Sequence, residues 1–205
     1  LGAVVIVFGI YTAGVYLDLY GELEEPGFPV NSELPRSIVQ QKQEAQEAFG
    51  RQKQILFGDT HVHTTYSTDA FLWSLPILNG EGPHPISDAC DFARFCANLD
   101  FWVSTDHAEA LTPRKWKSIK EAVRNCNTPT NINEPDLVTF LGYEWTQVGN
   151  TANEHYGHKN VMFLDIEEDR VPKRAIGAGG IATNGMRLTL PGQSKQLRPV
   201  ALFDP

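Results

Sequence analysis

Short apolar segments alternate with helix-forming segments through the middle of the chain, and this alternation limits the fold more than any other feature. Strands are predicted at 54–63, 100–105, 137–145 and 159–164. Helix formers occupy 87–98 and 113–126, and the second helix opens with Pro113, a residue typical of the first helical position. Strands that alternate with helices build parallel βαβ units. The pattern therefore predicts an α/β sheet or barrel.

The N-terminal segment is apolar and uncharged. Residues 1–17 contain no charged side chain, and no Lys or Arg occurs before Arg36. A bilayer core takes about 20 helical residues, and residues ahead of Leu1 would complete such a span. The missing basic flank favours an outward-facing chain. We expect 1–20 to be a membrane anchor that holds the bulk of the chain outside the cytoplasm. The alternatives are a cleaved signal peptide, which would leave a secreted protein, and a buried soluble helix.

The remaining chain divides into a connecting region and one domain. Residues 21–53 are expected to form a linker, rich in Pro, Gly and Glu, and then a helix over 36–49 that stops at Gly50. Residues 54–205 are expected to be the N-terminal part of a longer domain, because the chain ends inside a strand-like stretch. Within that domain, 64–85 is predicted to be a loop and the region around 175–185 to be irregular.

Charge and size exclude one class of partner. The 205 residues carry a net charge of −8 and no run rich in Lys or Arg. Nucleic-acid binding needs a clustered basic face, so no nucleic-acid partner is expected. With 41% hydrophobic residues the chain is large enough to bury one core.

Three cysteines are present, and none has metal-binding spacing. Cys90 and Cys96 lie on one predicted helix and point in different directions, so they cannot bond each other. The sequence leaves open a disulfide from Cys126 to either one, as an exported protein would allow, and three unpaired thiols.

Polar side chains follow the predicted strands where each one ends. His61 and His63 are two residues apart on the first strand, so both imidazoles point to one face. The second strand is followed by His107, and the third reaches Glu144. Ligands bind at the carboxyl rim of parallel strands, where these side chains are expected to meet. Asp69, six residues after His63, is close enough in sequence to reach the same rim.

Imidazoles and carboxylates are common ligands of divalent metals. A His-x-His pair or an Asp-His turn alone is weak evidence for a metal site, because both patterns also occur in proteins that bind no metal. Their shared position at successive strand ends is what predicts a metal site. His155 and His158 lie just before the fourth strand and extend the set, whereas His84 lies in a loop rich in Pro and Gly and is taken as incidental.

Three motifs resemble a known superfamily. They are GDTHVHTTYSTDAF at 58–71, STDHAE at 104–109 and GYEW at 142–145. In this order they resemble the polymerase-and-histidinol-phosphatase (PHP) superfamily of metal-dependent phosphoesterases. Residues 54–165 are more similar still to a PHP-like bacterial family, domain of unknown function 3604, whose members are often exported. The resemblance implies a distorted (β/α)7-type barrel, of which this chain holds the first part after its N-terminal apolar helix.

The resemblance also implies roles for individual residues. The implied metal ligands are His61, His63, Asp69, His107, Glu144 and His158, with Glu144 bridging two ions. The cofactors implied are two or three divalent ions of zinc, manganese or iron. Asp106 is either a ligand or a partner that orients an imidazole, and Asp106 and His155 are the candidates for passing a proton. PHP sites also use a later His and an Asp-x-His that this chain lacks, so we expect its site to be incomplete. We therefore expect these residues alone to bind metal weakly and to be inactive, and the full-length protein to be the enzyme.

The function expected from the resemblance is hydrolysis of a small-molecule substrate, such as a phosphoester, by a metal-activated water. Two alternatives remain open. One is a metal-dependent hydrolase of non-phosphate bonds. The other is a non-catalytic binding protein that is stabilised by metal and holds a ligand between aromatic side chains.

Overall fold

A computed structural model describes residues 2–16, 27–49, 55–75, 78–80, 84–128 and 135–179. The helices are α1 (Gly2–Tyr16), α2 (Arg36–Phe49), α3 (Thr68–Ser74), α4 (Ile86–Asp91) and α5 (Pro113–Asn127), and a π-helical turn at Phe92–Cys96 continues α4. The strands are β1 (Gly58–Val62), β2 (Phe101–Ser104), β3 (Val138–Gln147) and β4 (Gly157–Phe163). The mixed α/β class expected from the alternation is confirmed.

The four strands form one curled sheet in the order β1-β2-β3-β4, shaped like half a barrel. β1, β2 and β3 run parallel, as the alternation predicts. The side chain of Asn160 on β4 donates a hydrogen bond to the carbonyl oxygen of Thr60 on β1, at 2.7 Å. This bond joins the first and last strands of the sheet.

β4 runs antiparallel to β3, a direction that the sequence reasoning did not anticipate. Only nine residues separate Gln147 from Gly157, and a parallel crossover needs a dozen or more. The short connection therefore turns the chain straight back. His158 pairs with Thr146, so the beginning of β4 lies beside the carboxyl end of β3.

A hydrophobic core lies between the sheet and the helices that pack against it. α5 contributes Trp116, Ile119 and Val123, all fully buried against Trp102 and Leu141 of the sheet. α5 begins as predicted, with Pro113 in its first turn. The Thr112 side chain accepts a hydrogen bond from the amide of Lys115 and so caps the helix. This packing holds α5 against the strands of the sheet.

A disulfide joins Cys90 of α4 to Cys126 of α5, with a Cα–Cα distance of 6.1 Å. This settles the pairing that the sequence left open. Cys96 is free and exposed. Both bonded cysteines are buried in the core, so the disulfide holds the two helices together from inside.

The segment before the domain packs onto it. The amide of Val30 donates to the Asp91 carboxylate, at 2.8 Å. Lys42 of α2 pairs with the Asp100 carboxylate at 2.9 Å and donates to the carbonyl oxygen of Asp136. The predicted helix at 36–49 is therefore present and attached at the amino end of the strands.

Two other expectations, the loop at 64–85 and the membrane anchor at 1–20, are compared with the structure next. The stretch 64–85 is not all loop, since α3 forms within it at Thr68–Ser74. Among the described residues no helix is long and apolar enough to cross a bilayer. The expected anchor over 1–20, the first part of the linker and most of the irregular stretch at 175–185 extend into residues outside the described ranges.

Candidate metal centre

Two histidines lie at the carboxyl end of β1, where its pairing with β2 is irregular. The register between β1 and β2 shifts between Asp59 and Val62. At this shift the amide of Val62 donates to the side-chain oxygen of Thr105, at 2.8 Å. His61 and His63 flank Val62, and their ring centroids are 4.9 Å apart. The two imidazoles are therefore brought to the same point of the rim, as their spacing predicts.

β3 supplies Glu144, and the segment after β2 supplies His107 beside it. His107 and Glu144 form a parallel bridge, in which the amide of Ala108 donates to the Glu144 carbonyl oxygen and the amide of Glu144 donates to the Asp106 carbonyl oxygen. These two bonds extend the β2–β3 pairing past the end of β2. The His107 ring also makes an edge contact with His63, at 4.7 Å between centroids.

The Glu144 carboxylate is the centre of the cluster. Its side chain is 1% exposed, and it faces four imidazoles. Oε2 lies 2.7 Å from Nε2 of His63 and 3.1 Å from Nε2 of His61. Oε1 contacts Nδ1 of His158, while Nδ1 of His107 lies 3.6 Å from Oε2. The two oxygens of one buried carboxylate thus face different histidines.

Asp69 forms a second bridge between histidines. It lies in the first turn of α3, where one oxygen is 3.4 Å from Nδ1 of His63 and the other is 3.3 Å from Nε2 of His107. A carboxylate is favourable at this end of a helix, where backbone amide groups are unpaired. The short helix therefore brings Asp69 back to the rim, as its sequence position suggests.

All six predicted ligands meet in three overlapping groups. Within each group the donor atoms lie within 4.8 Å of one another. The groups are His61, His63 and Glu144; His63, Asp69 and His107; and His107, Glu144 and His158. Nitrogen and carboxylate donors in this mixture suit zinc, manganese or iron. The donor set present therefore fits a divalent metal centre, and the identity of the metal is not fixed by it.

The charges of the cluster support one another. Burial would raise the pKa of Glu144, but the surrounding imidazoles lower it below its usual value. Burial likewise opposes the shift at Asp69, and the hydrogen bonds from His107 and His63 lower its pKa. Burial alone would lower the pKa of His63, yet Asp69 and the nearby carboxylates raise it. Both carboxylates are therefore held in the charged form that binds metal.

The two residues predicted to move protons lie outside these groups. Asp106 is fully buried, and its oxygens accept hydrogen bonds from the amide and hydroxyl of Thr64 and from the hydroxyl of Ser67. Burial raises the pKa of Asp106 against these bonds. His155 is exposed in the turn before β4. The structure thus connects Asp106 to the loop between His63 and Asp69.

Three polar residues at the site were missed in the sequence. The Ser67 hydroxyl donates a hydrogen bond to the Asp106 carboxylate and accepts one from the amide of His107, at 2.9 Å. The Thr146 side chain contacts the imidazoles of His107 and His158. Asn160 joins β4 to β1 through the carbonyl oxygen of Thr60. Thr146 and Asn160 had a usable signal, since each lies two positions after a predicted ligand on a strand, Glu144 or His158, and so shares its face.

Comparison with known proteins gives one match. A family model described as "Protein of unknown function (DUF3604)" matches residues 50–115. Four of the six candidate ligands lie within that segment: His61, His63, Asp69 and His107. A search of curated proteins and a search of solved structures each found no match. The family match supports a relationship between this chain and the DUF3604 family.

Proposed function

We propose that this protein is a metal-dependent hydrolase, with phosphoesters as its substrate class. The observation that carries the proposal is the placement of Glu144. One of its oxygens faces His61 and His63, and the other contacts His158. A buried carboxylate placed in this way is suited to join two neighbouring divalent ions, an arrangement that recurs in enzymes that hydrolyse phosphate esters.

The PHP superfamily supplies the phosphoester part of the proposal. The residues that carry the resemblance belong to three separate motifs, and their side chains converge on one rim. That convergence supports a PHP-type centre and a barrel of which the curled sheet is one part. The substrate class itself rests on the resemblance, because the same donor set serves other hydrolytic reactions.

The side chains have separable tasks in this proposal. Divalent ions at the centre would activate a water molecule and neutralise charge on the phosphoryl oxygens. The three overlapping groups would hold them, with Glu144 shared between two groups. Asp69 and Glu144 supply the negative charge that offsets the cations. His61 and His158 are more than half exposed, so the cluster is open to a substrate from solvent.

Export is part of the proposal. Disulfides persist in oxidising compartments and are rare in the cytosol. The buried Cys90–Cys126 bond supports a periplasmic, membrane-anchored or secreted location. The role of the apolar N-terminal segment as an anchor or signal remains a prediction from the sequence, as does proton transfer by His155.

A phosphoester panel tests the proposal. The full-length protein is supplied with zinc, manganese or iron, and phosphate release is measured for the wild type, Glu144→Gln and Glu154→Gln. Glu154 is exposed in a turn outside the three groups, so its variant carries the same chemical change as a control. We expect hydrolysis by the wild type and Glu154→Gln and a loss of at least about 100-fold in Glu144→Gln.

Other results identify the alternatives. Turnover of amides or carboxylic esters with no phosphate release would favour a hydrolase of non-phosphate bonds. Tight metal binding without turnover of any substrate would favour a binding protein stabilised by metal. Equal phosphate release by the wild type and Glu144→Gln would reject the proposed site.

A further inference from the structure

Thr146 lies between two of the candidate ligands. Its side-chain oxygen is 2.9 Å from Nδ1 of His107 and 3.2 Å from Nδ1 of His158. The residue is 2% exposed. Its amide donates to the Glu109 carboxylate at 3.1 Å, so the backbone is held independently of the hydroxyl. The hydroxyl is therefore a fixed polar group between two imidazoles.

The neighbouring carboxylate decides where the hydroxyl proton points. Nδ1 of His158 contacts the Glu144 carboxylate, which is ionised and only accepts hydrogen bonds. Nδ1 of His158 must therefore carry a proton and cannot accept one from Thr146. The hydroxyl proton of Thr146 is left for Nδ1 of His107, which acts as the acceptor.

The same reasoning fixes the other nitrogen of His107. A neutral imidazole carries one proton, so with Nδ1 accepting, Nε2 is the donor. Nε2 faces an ionised oxygen of Asp69, at 3.3 Å. Each N–H in this chain of contacts therefore meets an acceptor, and the geometry selects the Nε2–H tautomer for the neutral form of His107.

His107 belongs to two overlapping groups, and the two groups face its different nitrogens. Asp69 lies on the Nε2 side, and Glu144 lies on the Nδ1 side at 3.6 Å. Metal-binding histidines commonly use one nitrogen for the metal and the other for a hydrogen bond that fixes the ring. When Nε2 gives up its proton to a metal, Nδ1 becomes protonated and the Thr146 oxygen serves as its acceptor. Thr146 thus engages Nδ1 in either state.

We propose that Thr146 is a positioning residue that assigns His107, through Nε2, to the metal group with His63 and Asp69. It does so by occupying Nδ1, the nitrogen that would otherwise be available to the group with Glu144 and His158. This inference rests on the proposed metal centre and adds to it the rule by which a shared ligand is divided between neighbouring ions.

Two substitutions isolate the hydroxyl. Thr146→Val keeps the shape of the side chain and removes the hydroxyl, whereas Thr146→Ser keeps the hydroxyl and removes a methyl group. A residue that acts only by packing would be harmed more by Ser than by Val. A residue that acts through its hydroxyl reverses that order.

The first readout uses the metal-free protein. Nitrogen-15 NMR of the imidazoles, recorded at a pH where the His107 ring is neutral, identifies its tautomer directly. We expect the Nε2–H form in the wild type and in Thr146→Ser, and a shift toward the Nδ1–H form in Thr146→Val, where Nδ1 can turn its proton toward Glu144. An Nδ1–H form in the wild type would overturn the inference, even if the valine variant failed to fold.

The second readout is zinc affinity, measured by competition with a chelator. Loss of a group that orients a metal-bound histidine typically weakens binding by roughly 10–100-fold. We expect that loss in Thr146→Val and a change below about threefold in Thr146→Ser. Wild-type affinity in Thr146→Val would overturn the inference. A wild-type protein that binds no zinc, manganese or iron would instead reject the proposed function, and the tautomer in the metal-free protein would still decide the role of Thr146.

Discussion

At the scale of single residues, the site is a set of imidazoles and carboxylates arranged so that each imidazole faces a carboxylate. His63 shows this most clearly, because its two nitrogens face Glu144 and Asp69. These contacts favour the protonated imidazole and raise the pKa of His63 above its ordinary value of 6.5, against the effect of burial. The same arrangement that stabilises the metal-free cluster therefore makes protons compete with metal.

This competition predicts a pH dependence of metal binding. The imidazole must be neutral to bind a metal, so affinity is lost as pH falls through the pKa of His63. Because that pKa is raised above 6.5, zinc affinity should still be increasing as pH rises past 6.5. Chelator competition at several pH values between about 6 and 8.5 would measure it. A constant affinity over this interval would contradict the electrostatic account.

The same shift predicts how stability of the metal-free protein changes with pH. A raised pKa means that the folded state binds the His63 proton more tightly than the unfolded state. The resulting stabilisation is fully present below the unfolded pKa of about 6.5 and is lost as pH rises through the folded pKa. Urea unfolding of the metal-free wild type and of His63→Gln should show this loss only in the wild type. Parallel curves for the two proteins would reject it.

Substitutions at Asp106 distinguish a positioning role for this residue from a catalytic one. Its oxygens bind Thr64 and Ser67, which precede Asp69 in the loop. Asp106→Ala would leave a buried amide without an acceptor, at a cost of roughly 1–3 kcal/mol, and would weaken metal binding. Asp106→Asn keeps an acceptor oxygen, so it should recover most of the stability and metal affinity, together with turnover.

Unfolding curves and phosphate release check this prediction. If Asp106→Asn folds and binds metal normally but loses turnover as completely as Asp106→Ala, then Asp106 carries a proton, as its sequence position suggested, and the positioning role is wrong.

At the scale of elements, the strands place the ligands and the short connections orient them. The positions of His61, His63, His107 and Glu144 at one rim follow from parallel strands, and the sequence predicted them. The residue pattern of β4 does not predict the direction of the strand, because an alternating pattern is the same in either direction. The connection after Gln147 predicts the direction, because nine residues are too few for a parallel crossover. α3 was missed because seven residues within a stretch rich in Pro and Gly give little periodicity.

Asn160 offers a test at this scale, because its side chain connects the two edge strands. Loss of the bond to the Thr60 carbonyl oxygen should loosen β1, whose residues are mostly exposed. We expect Asn160→Ala to speed hydrogen exchange of the amides in Gly58–Val62 and to weaken metal binding by His61. Asn153→Ala, in the exposed turn before β4, serves as the control. Unchanged exchange in β1 would show that the bond does not hold the strand.

At the scale of the whole molecule, one covalent bond connects the helical layer behind the sheet. Its partners could not be chosen from the sequence, because Cys90 and Cys96 lie on one helix and only the packing of α5 decides which faces Cys126. Likewise, the proton-transfer roles of Asp106 and His155 were suggested by sequence position alone. Their hydrogen-bond partners and exposure depend on loop geometry that no strand or helix pattern encodes.

The disulfide predicts a dependence of stability on redox state. The bond closes a loop across a sequence separation of 36, for which chain entropy gives a stabilisation of about 4 kcal/mol. Cys90→Ser with Cys126→Ser should lower the free energy of unfolding by roughly 2–4 kcal/mol, and a reducing agent should have a similar effect on the wild type. Cys96→Ser is the matched control and should change neither value. Equal stability of the oxidised wild type and the double variant would contradict the prediction.

The most direct test of the account is the metal content of the protein itself. Elemental analysis after dialysis would compare the wild type with the double variant His61→Ala and His63→Ala, and with His84→Ala, an exposed histidine outside the three groups. The account predicts more than one divalent ion per chain in the wild type and in His84→Ala, and loss of metal in the double variant. A wild type that retains no divalent metal when it is supplied, or a double variant with the same content, would contradict it.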